Sequence, residues 1–121
     1  MPYALRFTAP STYLEISYTG TVTRDELFSS ANEILAALRQ HALSRMLTDC
    51  TTLDGGPTAF DLYALSDWFS VNAPRVKEAV LFNDHVLVDP NIQFWETTCH
   101  NRGLQVRTFS DRAAALNWLQ A

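Results

Sequence analysis

Lysine is nearly missing from this chain: Lys77 is the only one among nine basic residues, and the eight arginines, spread from Arg6 to Arg112, never cluster. With a formal net charge of −4 and no basic patch, the phosphate attraction that dominates nucleic-acid binding has no source, so no DNA or RNA partner is expected. Cysteine is scarce too. Cys50 and Cys99 are too few for a disulfide framework, although one bridge between them stays open. Glycine occurs four times, so a phosphate-cradling loop could be built only around Gly55-Gly56; no Walker loop, GxGxxG or GxSxG is present. His41, His85 and His100 make no HxH or HxxxH spacing and the cysteines no CxxC, so neither a metal nor a cofactor is expected. No apolar run approaches the roughly 20 residues that span a bilayer, so no membrane insertion is expected. Met1-Pro2-Tyr3 opens into strand-like sequence without a charged-then-apolar leader, and the expectation is a reduced, cytoplasmic domain.

What is present is the pattern of one globular unit. Hydrophobic residues make up 47% and charged residues 18% of 121 residues, enough for a core and too apolar for disorder. Tyr3, Leu5 and Phe7 alternate with polar or small neighbours, and so do Leu14, Ile16 and Tyr18 after the turn Ala9-Pro10-Ser11-Thr12; the short connection favours an antiparallel pair. Gly20 reads as the end of the second strand. Thr23-Arg24-Asp25-Glu26 has capping-box spacing, and Leu27, Phe28, Ala31, Ile34, Leu35 and Leu38 follow at helical intervals. Arg45 to Cys50 reads as a third strand, parallel to the second across a helical crossover.

The chain turns an elbow, Met46 to Phe69, in which the strand runs through a short Gly-Pro loop into a second helix from Ala59, and Asn72-Ala73-Pro74 reads as the break after it. Val76 to Phe82 is a fourth strand whose Ala79-Val80-Leu81-Phe82 run suits a position covered on both faces. Asp89-Pro90 starts a third helix that Gly103 closes; Leu104 to Phe109 is the fifth strand, and Ser110 caps a last helix ending at Trp118-Leu119. The expected fold class is α/β: a single domain over residues 1–121, order β-β-α-β-α-β-α-β-α, with a mixed five-stranded sheet whose first strand is antiparallel, covered by about four helices.

This order resembles the STAS superfamily of sulfate transporters and anti-sigma-factor antagonists, in particular its small stand-alone bacterial members, which lie near the lipid-binding CRAL-TRIO fold. The likeness rests on Thr23–Glu26, the strand ending in Asp49, the strand Lys77–Phe82, and the tail Val106-Arg107-Thr108-Phe109-Ser110-Asp111 running into Ala115-Leu116-Asn117-Trp118-Leu119. It implies a non-enzymatic module acting by protein contact and, through the CRAL-TRIO kinship, a carrier of a lipid or other small apolar ligand as the alternative. Phosphoswitch members of the superfamily carry an Asp-Ser-Ser-Gly-like motif at the second helix. Here Gly55-Gly56-Pro57-Thr58 stands there, leaving Thr58 as the phosphoacceptor candidate, with helix capping through Asp61 as the competing account of the same residue.

The second helix is apolar on two sides. Leu62, Leu65 and Phe69 share one face; Phe60, Ala64 and Val71, with Tyr63 beside them, share another, and Trp68 lies between. One face must cover the sheet, so the other is expected to meet a neighbouring helix, a protein partner, a second copy in a homodimer, or a small apolar ligand. Phe60, Tyr63, Trp68 and Val71 are therefore the candidate contact surface, and Asp49, Thr51, Thr52, Gly55, Gly56 and Thr58 the elbow loop that supports it. Asp49, Asp54, Asp84 and Asp111 near strand ends could hold a divalent cation, but Asp111 is explained by helix initiation and Asp49 by bonding to nearby amides. An enzyme using Cys50 or Asp49 ranks last, because no set of nucleophile, base and oxyanion stabiliser can be assembled; no catalytic residue is expected.

Overall fold

The computed structural model describes residues 3–7, 13–55 and 58–121. Strand β1 (Tyr3–Phe7) pairs antiparallel with β2 (Leu14–Thr21); helix α1 (Arg24–Gln40) leads to β3 (Arg45–Gly55). Helix α2 (Ala59–Asn72) leads to β4 (Lys77–Leu81), the short α3 (Asp84–Leu87) and α4 (Pro90–Asn101) to β5 (Gln105–Phe109), and α5 (Arg112–Leu119) ends the chain. Spatial order in the five-stranded sheet is β1-β2-β3-β4-β5, with every pair after the first parallel. Each parallel pair therefore needs a crossover, and those crossovers supply α1, α2 and α3–α4.

Strand alternation decides which residues meet which helices. The register Leu14↔Met46↔Glu78↔Val106 sets one face, on which Leu14, Ile16, Tyr18 and Met46 pack with Leu27, Ile34 and Leu38 of α1. Val80 and Val106 of the same face pack with Trp95 and Cys99 of α4 and with Leu62 and Phe69 of α2. The opposite face presents Leu47, Ala79 and Leu81 to Ala115 and Leu119 of α5. Lys77 secures that last helix by donating from Nζ to the Trp118 carbonyl at 2.6 Å.

The structure departs from the sequence reading in three places. First, β2 does not stop at Gly20, and β3 does not stop at Cys50. Gly20, at φ +65°, lets β2 continue to Thr21, and register shifts let Thr19, Gly20 and Thr21 pair with Thr52, Leu53 and Gly55. Asp49, Thr51, Thr52 and Gly55 therefore lie in a strand rather than in a loop, while Gly56 lies outside the described residues. Second, Asn83-Asp84-His85 begins a one-turn helix, so five helices rather than about four occur among the described residues. Third, Asp111, not Ser110, caps the last helix: its carboxylate accepts from the Ala113 and Ala114 amides at 3.3 Å.

Candidate functional site

Helix α2 has polar residues in too few places to keep one side in water, and the fold uses this. Its near backbone neighbours are α4 and α1 rather than the strands. Between α2 and the sheet lies a cavity of about 440 Å³. The floor is the β2–β5 face, with Tyr18, Thr48, Cys50, Glu78, Val80 and Val106; the roof is Leu62, Leu65, Ser66 and Phe69 of α2. Leu27, Ala31 and Ile34 of α1 close one side, and Ile92, Trp95 and Cys99 of α4 the other. Asp54 and Asp89, both solvent-exposed, stand at the end nearest the strand C-termini.

The roof is held in place by a buried polar hub. Ser66 Oγ donates to the Leu62 carbonyl at 3.0 Å and accepts from Trp95 Nε1 at 3.0 Å, while the Cys99 thiol lies 3.3 Å away. Burial without partners would cost each of these groups, so the hub fixes α2 against α4. Tyr18 is tied in the same manner, its hydroxyl donating to Ser30 Oγ at 2.6 Å, which in turn donates to the Leu27 carbonyl. Tyr63 meets Phe94 edge-on at a centroid distance of 5.8 Å, sealing the outer seam between the two helices.

Glu78 is the exceptional residue of the floor. It is enclosed by protein and keeps partial accessibility through the cavity it faces. Thr48 Oγ1 donates to its Oε2 at 2.6 Å. Among the described residues, no cation reaches it. Burial therefore raises its pKa to about 7, against a smaller lowering by the Thr48 hydrogen bond. Cys50 faces the same space, and burial, with the charges of Glu78 and Asp49 adding to it, pushes its thiol far above the ordinary range. A thiol so held is not an activated nucleophile.

The residues named from sequence divide between two faces of the molecule. Asp49 belongs to the opposite side of the sheet from Cys50. Its Oδ1 accepts from the Thr51 amide at 2.9 Å and the Thr51 hydroxyl at 2.6 Å, and its Oδ2 lies 3.9 Å from Arg112. Thr52 Oγ1 donates to the Tyr18 carbonyl at 3.0 Å, stitching β3 to β2. Thr58 completes a capping box with Asp61, and Arg24 donates to Asp61 across from α1 at 2.9 Å. Phe60 and Val71 are 70% and 78% exposed, Tyr63 is half-buried against α4, and Trp68 is half-buried against Phe69. Cys50 and Cys99 are both free thiols. Among the described residues, no three His, Cys, Asp or Glu side chains gather as metal ligands, and no helix is long and apolar enough to cross a membrane.

Sequence reading missed Glu78 and Ser66. Alternation held the signal for Glu78, since it shares a strand face with Val80, but the pair Lys77-Glu78 reads as a solvated strand start. Ser66 is the lone hydroxyl between Leu62 and Phe69 on an otherwise apolar helix face.

Comparison with known proteins fits this architecture. Residues 13–120 match the family model described as SpoIIAA-like. An uncharacterized DUF3478-family protein with a SpoIIAA-like fold from Shewanella loihica PV-4 superimposes with a TM-score of 0.61 at 21% identity, over 97% of this chain and 91% of that one. The anti-sigma factor antagonist SpoIIAA in its unphosphorylated form superimposes with a TM-score of 0.60 at 12% identity, over 98% of both chains. No match is found among curated proteins.

Proposed function

The chain belongs to the SpoIIAA-like family, and from that premise we propose that it is a non-enzymatic binding module whose ligand is a small apolar molecule enclosed beneath α2. The observation that carries this reading is the 440 Å³ cavity between α2 and the sheet, within the size range of small-molecule sites and lined mainly by aliphatic and aromatic side chains. The cavity opens to solvent at the end where the exposed Asp54 and Asp89 stand, which gives a ligand a way in. A few polar groups among many apolar ones, here Thr48, Glu78 and Ser66, are what orient a ligand in sites of this type.

The test uses decanol as a neutral probe, followed by native mass spectrometry and thermal unfolding. A one-to-one complex and a raised Tm are expected. Ala31→Leu places extra bulk into the cavity from α1 and is expected to abolish binding while the variant stays folded. Decanol binding that survives Ala31→Leu unchanged, or no binding to the natural chain, overturns the reading.

A second reading has its own observation. Phe60, Val71, Val88 and Phe94 are all at least 60% exposed, two on α2 and two on or just before α4. This favours contact with a second copy of the chain through α2. Light scattering on the natural chain and on Phe60→Arg tests it: a dimer lost in the variant supports the contact, and a monomer at every concentration removes it.

A further inference from the structure

The charged groups around the cavity are all of one sign. Asp54, Glu78 and Asp89 line it, and among the described residues no lysine, arginine or histidine does. Residues 1–2, 8–12 and 56–57 include no lysine, arginine or histidine. Helices α1 and α2 bring only apolar side chains and Ser66 to the space. The remaining titratable groups facing Glu78 are Tyr18 on β2, Cys50 on β3 and Cys99 on α4, each with a pKa raised by burial and so neutral at ordinary pH. Glu78 thus has one oxygen engaged by Thr48 and a second without a hydrogen bond among the described residues.

We propose that the ligand is a cationic amphiphile, an apolar body ending in an amine that hydrogen-bonds to and pairs with Glu78. This rests on the reading of the cavity as a ligand site and narrows it to one chemistry. The cost of taking the carboxyl group out of water is already met on folding, so an incoming ammonium supplies the missing partner and leaves only its own desolvation to be offset. A buried charge-assisted N–H···O bond is stronger than a neutral one. An anionic head, such as a fatty carboxylate or a phosphate, finds no cation in the cavity and three carboxyl groups around it. The exposed Asp54 and Asp89 place negative potential where the cavity meets solvent, which favours the approach of a cation and opposes that of an anion. The apolar body has room beside the head: β4 rises by about 10 Å from Glu78 to its end at Leu81, at about 3.3 Å per residue.

Binding of an amine draws Glu78 into its ionised form. A proton is then released on binding wherever the free protein still holds one, so affinity for the amine rises with pH up to about neutrality and levels off above it. The affinity for a neutral alcohol does not follow this course.

The experiment compares decylamine, decanol and decanoate on the full chain by calorimetry at mildly alkaline pH, below the concentrations at which each self-associates. Decylamine is expected to bind at least about tenfold more tightly than decanol, as suits a charge-assisted bond over a neutral one, and decanoate to bind weakest. In Glu78→Gln, the preference for decylamine over decanol should disappear, the ratio of the two affinities falling to about one. Decanoate equal to or tighter than decylamine, or a preference for decylamine that persists in Glu78→Gln, overturns the amine while leaving the cavity reading in place. Failure of all three probes overturns both.

Discussion

Replacing Glu78 by glutamine should make the protein more stable at alkaline pH, which is the reverse of what removing a buried hydrogen-bonded group usually does. In the folded chain Glu78 titrates at about 7, against 4.5 for an unperturbed glutamate, because burial penalises its charge more than the Thr48 hydrogen bond supports it. Between those two values the folded state holds more protons than the unfolded state, so stability falls as pH rises through this window and is flat above it. At about 1.4 kcal/mol per pH unit, the loss from this one group comes to about 3 kcal/mol. Glutamine keeps the shape, can still accept from Thr48 and has no proton to lose. The stability difference between the natural chain and Glu78→Gln should therefore shift by about 3 kcal/mol in favour of the variant between about pH 5 and about pH 8, most of it below neutrality. For a domain of this size the shift corresponds to roughly 10 °C in Tm. Urea unfolding of both proteins across the range measures it, and every other titrating group cancels in the difference. A gap constant to within about 0.5 kcal/mol across that range would refute the reasoning, because Glu78 would then have an ordinary pKa and lie in water.

Two further outcomes follow from the frame of the cavity. Ser66→Ala leaves Trp95 Nε1 and the Cys99 thiol without their buried partner and should destabilise the fold by about 1–3 kcal/mol in urea, with faster hydrogen exchange in α2 than in α1. Thr58→Ala removes the side-chain half of the α2 capping box and should cost about 1 kcal/mol, read as a lower Tm; an unchanged Tm would mean that the α2 N-terminus contributes nothing to global stability.

Local rules carried the element order. Capping boxes announced α1 and α2, alternation announced β1 and β2, and the apolar run at Ala79–Phe82 placed β4 inside the sheet. They also exposed α2 as a helix with two apolar sides: Leu62, Leu65 and Phe69 line the cavity and Tyr63 packs on Phe94, while Phe60 and Val71 of the second side are exposed. The end of β3 was beyond local reading, because its last residues become a strand only by pairing with a β2 that bends at Gly20. The site was hidden for the same reason. Glu78 acquires its character from Thr48 on the neighbouring strand and from a roof supplied by α2, neither of which is near it in the chain. Asp49 and Cys50 are neighbours in sequence, yet strand alternation sends them to opposite faces of the sheet.

The central claim, that the space beneath α2 receives an apolar ligand, is tested most directly by methyl NMR of the chain titrated with decanol. Methyl resonances of Ile34, Leu65 and Val80, which line the cavity, should shift in a saturable manner, while those of Leu47, Ala115 and Leu119 on the α5 side stay in place. Shifts spread equally over both faces, or confined to exposed residues such as Val71 and Val88, would contradict it.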